Sequence, residues 1–167
     1  MSLFLDTNIL LYAMMEEGTE KAGIADSLLL HQDCHISVQT LNEATNTLRR
    51  KTRLPLDDIK TLIADFRGLV TIHPITEAVY SRGWAIIERY GLQTYDAMIL
   101  ACAIENGIET LLSEDMQNGQ RIFDMITIIN PFQKTEDRRQ KTEDRRLRLN
   151  SSYQVPRLFN QFRELRR

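Results

Sequence analysis

The chain has 167 residues, with 21 Lys and Arg against 23 Asp and Glu, three His, two Cys and 43% hydrophobic residues. This is one domain's worth of sequence with enough apolar content for a core. Cys34 and Cys102 are too few and too far apart for a disulfide framework or a thiolate zinc site, which fits a reducing, cytoplasmic setting. No uncharged apolar run of about eighteen residues occurs, and the start of the chain lacks a basic region before its short apolar run, so neither a membrane span nor a secretory signal is expected.

In chain order, short apolar runs rich in Ile, Val, Leu and Thr fall at 3–5, 35–38, 69–72, 110–112 and 126–129. They show little polar alternation, as strands covered on both faces do. Longer helical patterns separate them. One covers 8–15, and another follows the second strand and carries Glu43. The segment 55–66 puts Leu56, Ile59, Leu62, Ile63 and Phe66 on one stripe behind Pro55. The segment 76–90 stops before Gly91, and 94–106 runs from Thr94 to just before Gly107. From Ala97 to Ile104 the last helix is apolar all round, which predicts deep burial. One helix between the first two strands and pairs of helices in the next two intervals predict an α/β domain with a mainly parallel sheet.

Composition changes after Pro131-Phe132. Residues 1–133 carry a net charge of −8 and residues 134–167 one of +6. The second stretch opens Lys-Thr-Glu-Asp-Arg-Arg-Gln and repeats Lys-Thr-Glu-Asp-Arg-Arg from Lys141. With no apolar residue, this seven-residue repeat is not a coiled-coil heptad. Residues 1–132 are therefore assigned to a folded domain and 133–167 to a basic extension. Near its end, Leu158, Phe162 and Leu165 have helical spacing. A basic arm for RNA, a docking segment, a fused end and a plain solvated tail all fit it; the tail is the simplest.

Parallel α/β sheets bind ligands beyond the carboxyl ends of their strands. Asp6 directly follows the first strand, and Asp115 follows 110–112 within Ser113-Glu114-Asp115. Asp96 falls in the first turn of the buried helix, and Glu43 in the first turns of the helix after the second strand. Each has a plainer role: Asp6 as a cap, Glu43 as the end of a Thr40-Leu41-Asn42-Glu43 capping box, Asp96 as a partner of the helix dipole and Asp115 as a turn residue. The four are 37, 53 and 19 positions apart, so only folding brings them together. No lysine of the domain lies beyond Lys60 to neutralise the later ones. Two unit charges about 4 Å apart repel by roughly 4 kcal/mol at an effective dielectric near 20. Such a cluster needs protons or a cation, and oxygen ligands without Cys or His suit Mg²⁺, with Mn²⁺ as substitute.

Asp6-Thr7-Asn8-Ile9-Leu10, Glu43 in Leu41-Asn42-Glu43, Tyr95-Asp96-Ala97 and Leu112-Ser113-Glu114-Asp115, in this order, resemble the PIN-domain ribonucleases. They are most like the VapC-type toxins of bacterial toxin–antitoxin pairs. The resemblance spans about residues 2–132. It implies a three-layer α/β/α fold around a parallel sheet of four or five strands, and a metal-dependent endoribonuclease that dimerises and is restrained by a cognate antitoxin. It implies Asp6 and Asp96 as the principal Mg²⁺ ligands, with Glu43 and Asp115 as the remaining acidic positions, direct or through water. Thr7 and Ser113 match hydroxyl positions beside the carboxylates or substrate phosphate, with Asn8 behind them. Glu114 is one more acid in position to share the ligand role. RNA phosphodiester hydrolysis through metal-activated water would leave 5′-phosphate and 3′-hydroxyl ends.

A non-catalytic Mg²⁺-binding or receiver-like signalling module is the alternative. A receiver needs an Asp ending its third strand and a Lys ending its fifth; here those strands end Ile72-His73-Pro74 and Asn130-Pro131. A haloacid-type phosphotransferase wants an acid where Asn8 stands, and a dinucleotide site wants glycines where Asp6-Thr7-Asn8 stands. His31, His35 and His73 are read as surface or strand-end histidines. Arg49, Arg50, Lys51 and Arg53 suit a helix C-terminus and RNA phosphate equally. Tyr80, Trp84 and Tyr90 are assigned to core or dimer packing, and the 55–66 helix to a partner or dimer surface.

Overall fold

A computed structural model describes residues 1–15 and 18–133. The strands are β1 (Ser2–Leu5), β2 (Asp33–Ser37), β3 (Thr71–His73), β4 (Thr110–Leu112), β5 (Arg121–Ile122) and β6 (Ile126–Ile129). The helices are α1 (Thr7–Met15), α2 (Glu20–His31), α3 (Val38–Lys51), α4 (Leu56–Arg67), α5 (Glu77–Tyr90) and α6 (Thr94–Glu105). The expected α/β fold with a mainly parallel sheet is what forms. The basic extension, with its repeat and Leu158, Phe162 and Leu165, lies outside the described residues from 134 onward. Among the described residues no helix is long and apolar enough to cross a membrane.

The sheet runs β3-β2-β1-β4-β6-β5, parallel except where β5 turns back along β6. The chain steps outward from β1 through β2 to β3, then returns to the other side of β1 for β4. Right-handed crossovers travelling in opposite directions put their helices on opposite faces of the sheet. The reversal leaves a crevice beyond the carboxyl ends of β1 and β4, where such sheets bind ligands.

Central position explains the composition. Phe4, Leu5, Ile36, Leu111 and Ile128 are fully buried. Residues 97–104 of α6 are all buried, as their uniform apolarity demands. A buried Leu or Ile contributes about 1.5–3 kcal/mol, so α6 is a firm base for the residues of its first turn. Gly83 of α5 permits the close approach of α6. A Cβ there would stand 2.6 Å from the Met98 sulfur.

Four features differ from the sequence expectation. Two helices, not one, join β1 to β2. The core positions of α2 are Ala22, Ala25 and Leu29, and two alanines give a face too faint to register as an apolar stripe. Val38 opens α3 instead of ending β2, because Ser37 caps the helix, its hydroxyl accepting from the Thr40 amide at 3.1 Å. β3 forms at Thr71–His73 instead of at 69–72. Finally the sheet has a sixth strand, β5, beyond the four or five expected. Its return to β6 runs through Phe123 and Asp124, both at positive φ (50° and 54°). A hairpin turn of this hand normally carries Asn or Gly. Here the Phe123 amide donates to the Tyr90 hydroxyl at 2.8 Å, and the two rings pack edge to face.

Candidate active site

The ends of β1 and β4 are locked together just where the acids begin. The Asp6 amide donates to the Leu112 carbonyl at 3.0 Å, and the Ser113 amide to the Ile129 carbonyl at 3.1 Å. Asp6 is therefore carried on sheet backbone, and its side chain is only 7% exposed. Its Oδ1 accepts from the Thr7 amide at 2.6 Å and its Oδ2 from the Ser113 hydroxyl at 2.7 Å. Ser113 Oγ in turn accepts from the Met116 amide at 3.3 Å, which fixes the rotor that points at Asp6.

Glu43 arrives from α3. Its Oε2 accepts from the Thr7 hydroxyl at 2.6 Å and its Oε1 from the Gln39 amide at 3.0 Å. Since Ser37 caps this helix, Glu43 lies beyond the first turn and is not part of a capping box. Asp115 is exposed and accepts from the Asn8 side-chain amide. Asp96 occupies the first turn of α6 and is half-buried. Thr7 thus holds two acids, Asn8 and Ser113 one each, and the first turn of α1 links Asp6, Glu43 and Asp115. Gln39 escaped the sequence reading; its position four residues before Glu43 on one helix was the available signal.

The electrostatics tie the fourth acid to the other three. Burial raises the Asp6 carboxyl from its ordinary 3.8 to about 6; the hydrogen bonds from Ser113 and Thr7 oppose the rise, and the charges of Asp96 and Glu43 add to it. Asp96 is also raised, by burial first and then by Asp115 and Glu43. Among the described residues none of these four acids forms an ion pair. No three His, Cys, Asp or Glu side chains among the described residues already stand as ligands around one point. The donor set nonetheless fits Mg²⁺, which takes one or two carboxylates directly and keeps much of its water.

Glu114 behaves differently from its neighbour. Lys21 and Tyr12 both donate to it, and Lys21 holds its carboxyl below the ordinary range. The cation that the sequence lacked beyond Lys60 comes from α2, and it serves Glu114 rather than the four. The histidines lie elsewhere. His35 Nδ1 and His73 Nε2 are 2.9 Å apart on adjacent strands, with their rings stacked, and His31 ends α2.

The sequence model of the PIN domain family matches residues 3–118. Solved structures share the fold. A toxin–antitoxin complex from Klebsiella pneumoniae is 21% identical, with 80% of this chain and 100% of that chain covered and a TM-score of 0.60. The VapBC2 complex of Rickettsia felis, bound to a fragment of its promoter DNA, is 20% identical, with coverages of 78% and 98% and a TM-score of 0.60. The VapC20 toxin of Mycobacterium tuberculosis, which cleaves the sarcin-ricin loop, is 20% identical, with coverages of 65% and 86% and a TM-score of 0.55. No curated protein matches the chain in sequence.

Proposed function

The chain belongs to the PIN-domain family, and from that premise we propose that it is a Mg²⁺-dependent endoribonuclease, the toxin of a toxin–antitoxin pair. The observation that carries the proposal is the set of four acids at the β1/β4 crevice, two of them with raised carboxyls and none ion-paired among the described residues. Solved relatives of the fold that are toxins or toxin–antitoxin complexes support the cellular role.

Asp6 and Asp96 would hold the ion directly, with Glu43 and Asp115 at its edges, directly or through water. When bound, Mg²⁺ or Mn²⁺ supplies a Lewis acid for the phosphoryl oxygen and lowers the pKa of a water. The chain's own residues set the geometry. Ser113 and the Thr7 amide fix both oxygens of Asp6. Thr7 and Gln39 aim Glu43, and Asn8 steadies Asp115. Burial of Asp6 beneath the crevice leaves the exposed Asp115 on the solvent side, where a phosphate would enter. Hydrolysis by water leaves 5′-phosphate and 3′-hydroxyl ends.

A cognate antitoxin and a second copy of the chain are the proposed protein partners. Expression of the full chain with and without Asp6→Ala tests the proposal. Growth arrest and Mg²⁺-dependent RNA cleavage should both vanish with that carboxylate. A 2′,3′-cyclic phosphate product would overturn the mechanism, and arrest that survives Asp6→Ala would overturn the function.

A further inference from the structure

Beside Glu43 a groove of about 690 Å³ opens between the start of α3, the β3–α5 connection and the start of α6. Its walls include Val38, Asn42, Asn46, Ile75 and Tyr95, with Glu43 at the boundary with the acidic crevice. Glu43 is the member of the acid cluster that lines the groove, and Tyr95 immediately precedes Asp96 in the first turn of α6. Tyr95 is 66% exposed, and Val38 and Ile75 are exposed as well. Asn42 and Asn46 are four residues apart, on one face of α3, and both are exposed.

We infer that this groove holds one unpaired base of a single-stranded RNA, stacked on Tyr95 and read along its edge by Asn42 and Asn46, next to the phosphate that is cut. The inference rests on the proposed nuclease function and names the form of its substrate. Each wall matches one part of a nucleotide. An aromatic face flanked by aliphatic groups receives the π-face of a base, a contact that duplex RNA keeps inside its own stack. Uncharged amides offer both the donors and the acceptors that a base edge presents partners for, and the strongest contacts to phosphate come from cations. Those cations come next on the same helix. Arg49 and Arg50 are exposed, one turn beyond Asn46, about 5–6 Å further along the axis. The surface thus passes from carboxylates through aromatic and amide groups to guanidinium groups, which is the order of cleaved phosphate, neighbouring base and onward backbone.

The test uses the full chain carrying Asp6→Asn, in Mg²⁺, with a single-stranded oligoribonucleotide that contains 2-aminopurine. Fluorescence should be quenched on binding. Tyr95→Ala should abolish the quench and weaken binding by roughly tenfold, since stacking on an aromatic is worth about 1–3 kcal/mol per base. Tyr95→Phe should retain both. In the chain with Asp6 intact, Tyr95→Ala should raise KM while kcat stays within roughly threefold, and Asn42→Ala with Asn46→Ala should relax base preference at one position beside the cut. Equal quenching and affinity in Tyr95→Ala would overturn the inference, as would a groove whose variants alter antitoxin binding and leave RNA binding alone. The two readings fail separately: binding with these signatures but no cleavage removes the nuclease, and cleavage indifferent to Tyr95 removes the groove.

Discussion

Glu114 and Asp115 are neighbours in the chain and have opposite fates. Glu114 receives Lys21 and Tyr12, and its carboxyl is held below the ordinary range. Asp115 receives, among the described residues, only the neutral amide of Asn8, and it raises Asp96, whose carboxyl already rises through burial. Asp6, one strand away, is pushed up to about 6. The difference shows that the fold can bring a cation to this edge and does so one residue from the site. Among the described residues Asp6, Glu43 and Asp115 are held by neutral donors, which orient carboxylates without discharging them, and none of the four crevice acids is ion-paired.

The contrast can be broken most sharply at Asp6. Asp6→Asn should lower Mg²⁺-dependent RNA cleavage by roughly a thousandfold or more, because a catalytic ion supplies several kcal/mol of charge stabilisation; single-turnover assays measure this. Next in size is Ser113→Ala, which frees Asp6 Oδ2. Loss of such a supporting partner should weaken divalent-ion affinity roughly 10–100-fold, read by titration calorimetry.

The third effect concerns stability. A carboxyl whose folded pKa lies above its unfolded value favours the folded state while protonated, so stability is lost as pH rises from about 4 through 6. The penalty at Asp6 approaches about 3 kcal/mol above that window. Metal-free Asp6→Asn should therefore have a higher Tm than the parent at pH 7.5 and nearly the same Tm at pH 4. Added Mg²⁺ should raise the parent's Tm at pH 7.5 more than at pH 5. The smallest effect sits on the compensated side. Glu114→Gln should leave cleavage within roughly threefold and stability within about 1 kcal/mol, as for other partly exposed pairs. A large loss of activity there would erase the distinction between the two acids.

Legibility in the sequence followed the strength of the local signal. The buried strands and α6 were plain because residues covered on all sides must be apolar on all sides. The order of those elements predicted the parallel sheet, and with it the edge where Asp6, Asp96 and Asp115 meet. α2 was lost because alanines form its inner face, and β5 because Phe123 and Asp124 make a left-handed turn without the usual residues. The site was legible as residue types and not as bonds. Nothing local says that Thr7 reaches Glu43 across 36 positions, or that Lys21 serves Glu114. Gln39 was missed because its role exists only once Ser37, and not Thr40, begins the helix.

Titration of Mn²⁺ into the metal-free chain at pH 6, followed by electron paramagnetic resonance and by proton release, addresses the crevice most directly. The parent should bind the ion and release protons as Asp6 ionises, and Asp6→Asn should show weak binding and little release. Tight binding that is indifferent to Asp6, or a parent that binds no ion at all, would contradict the assignment of these four acids to a divalent cation.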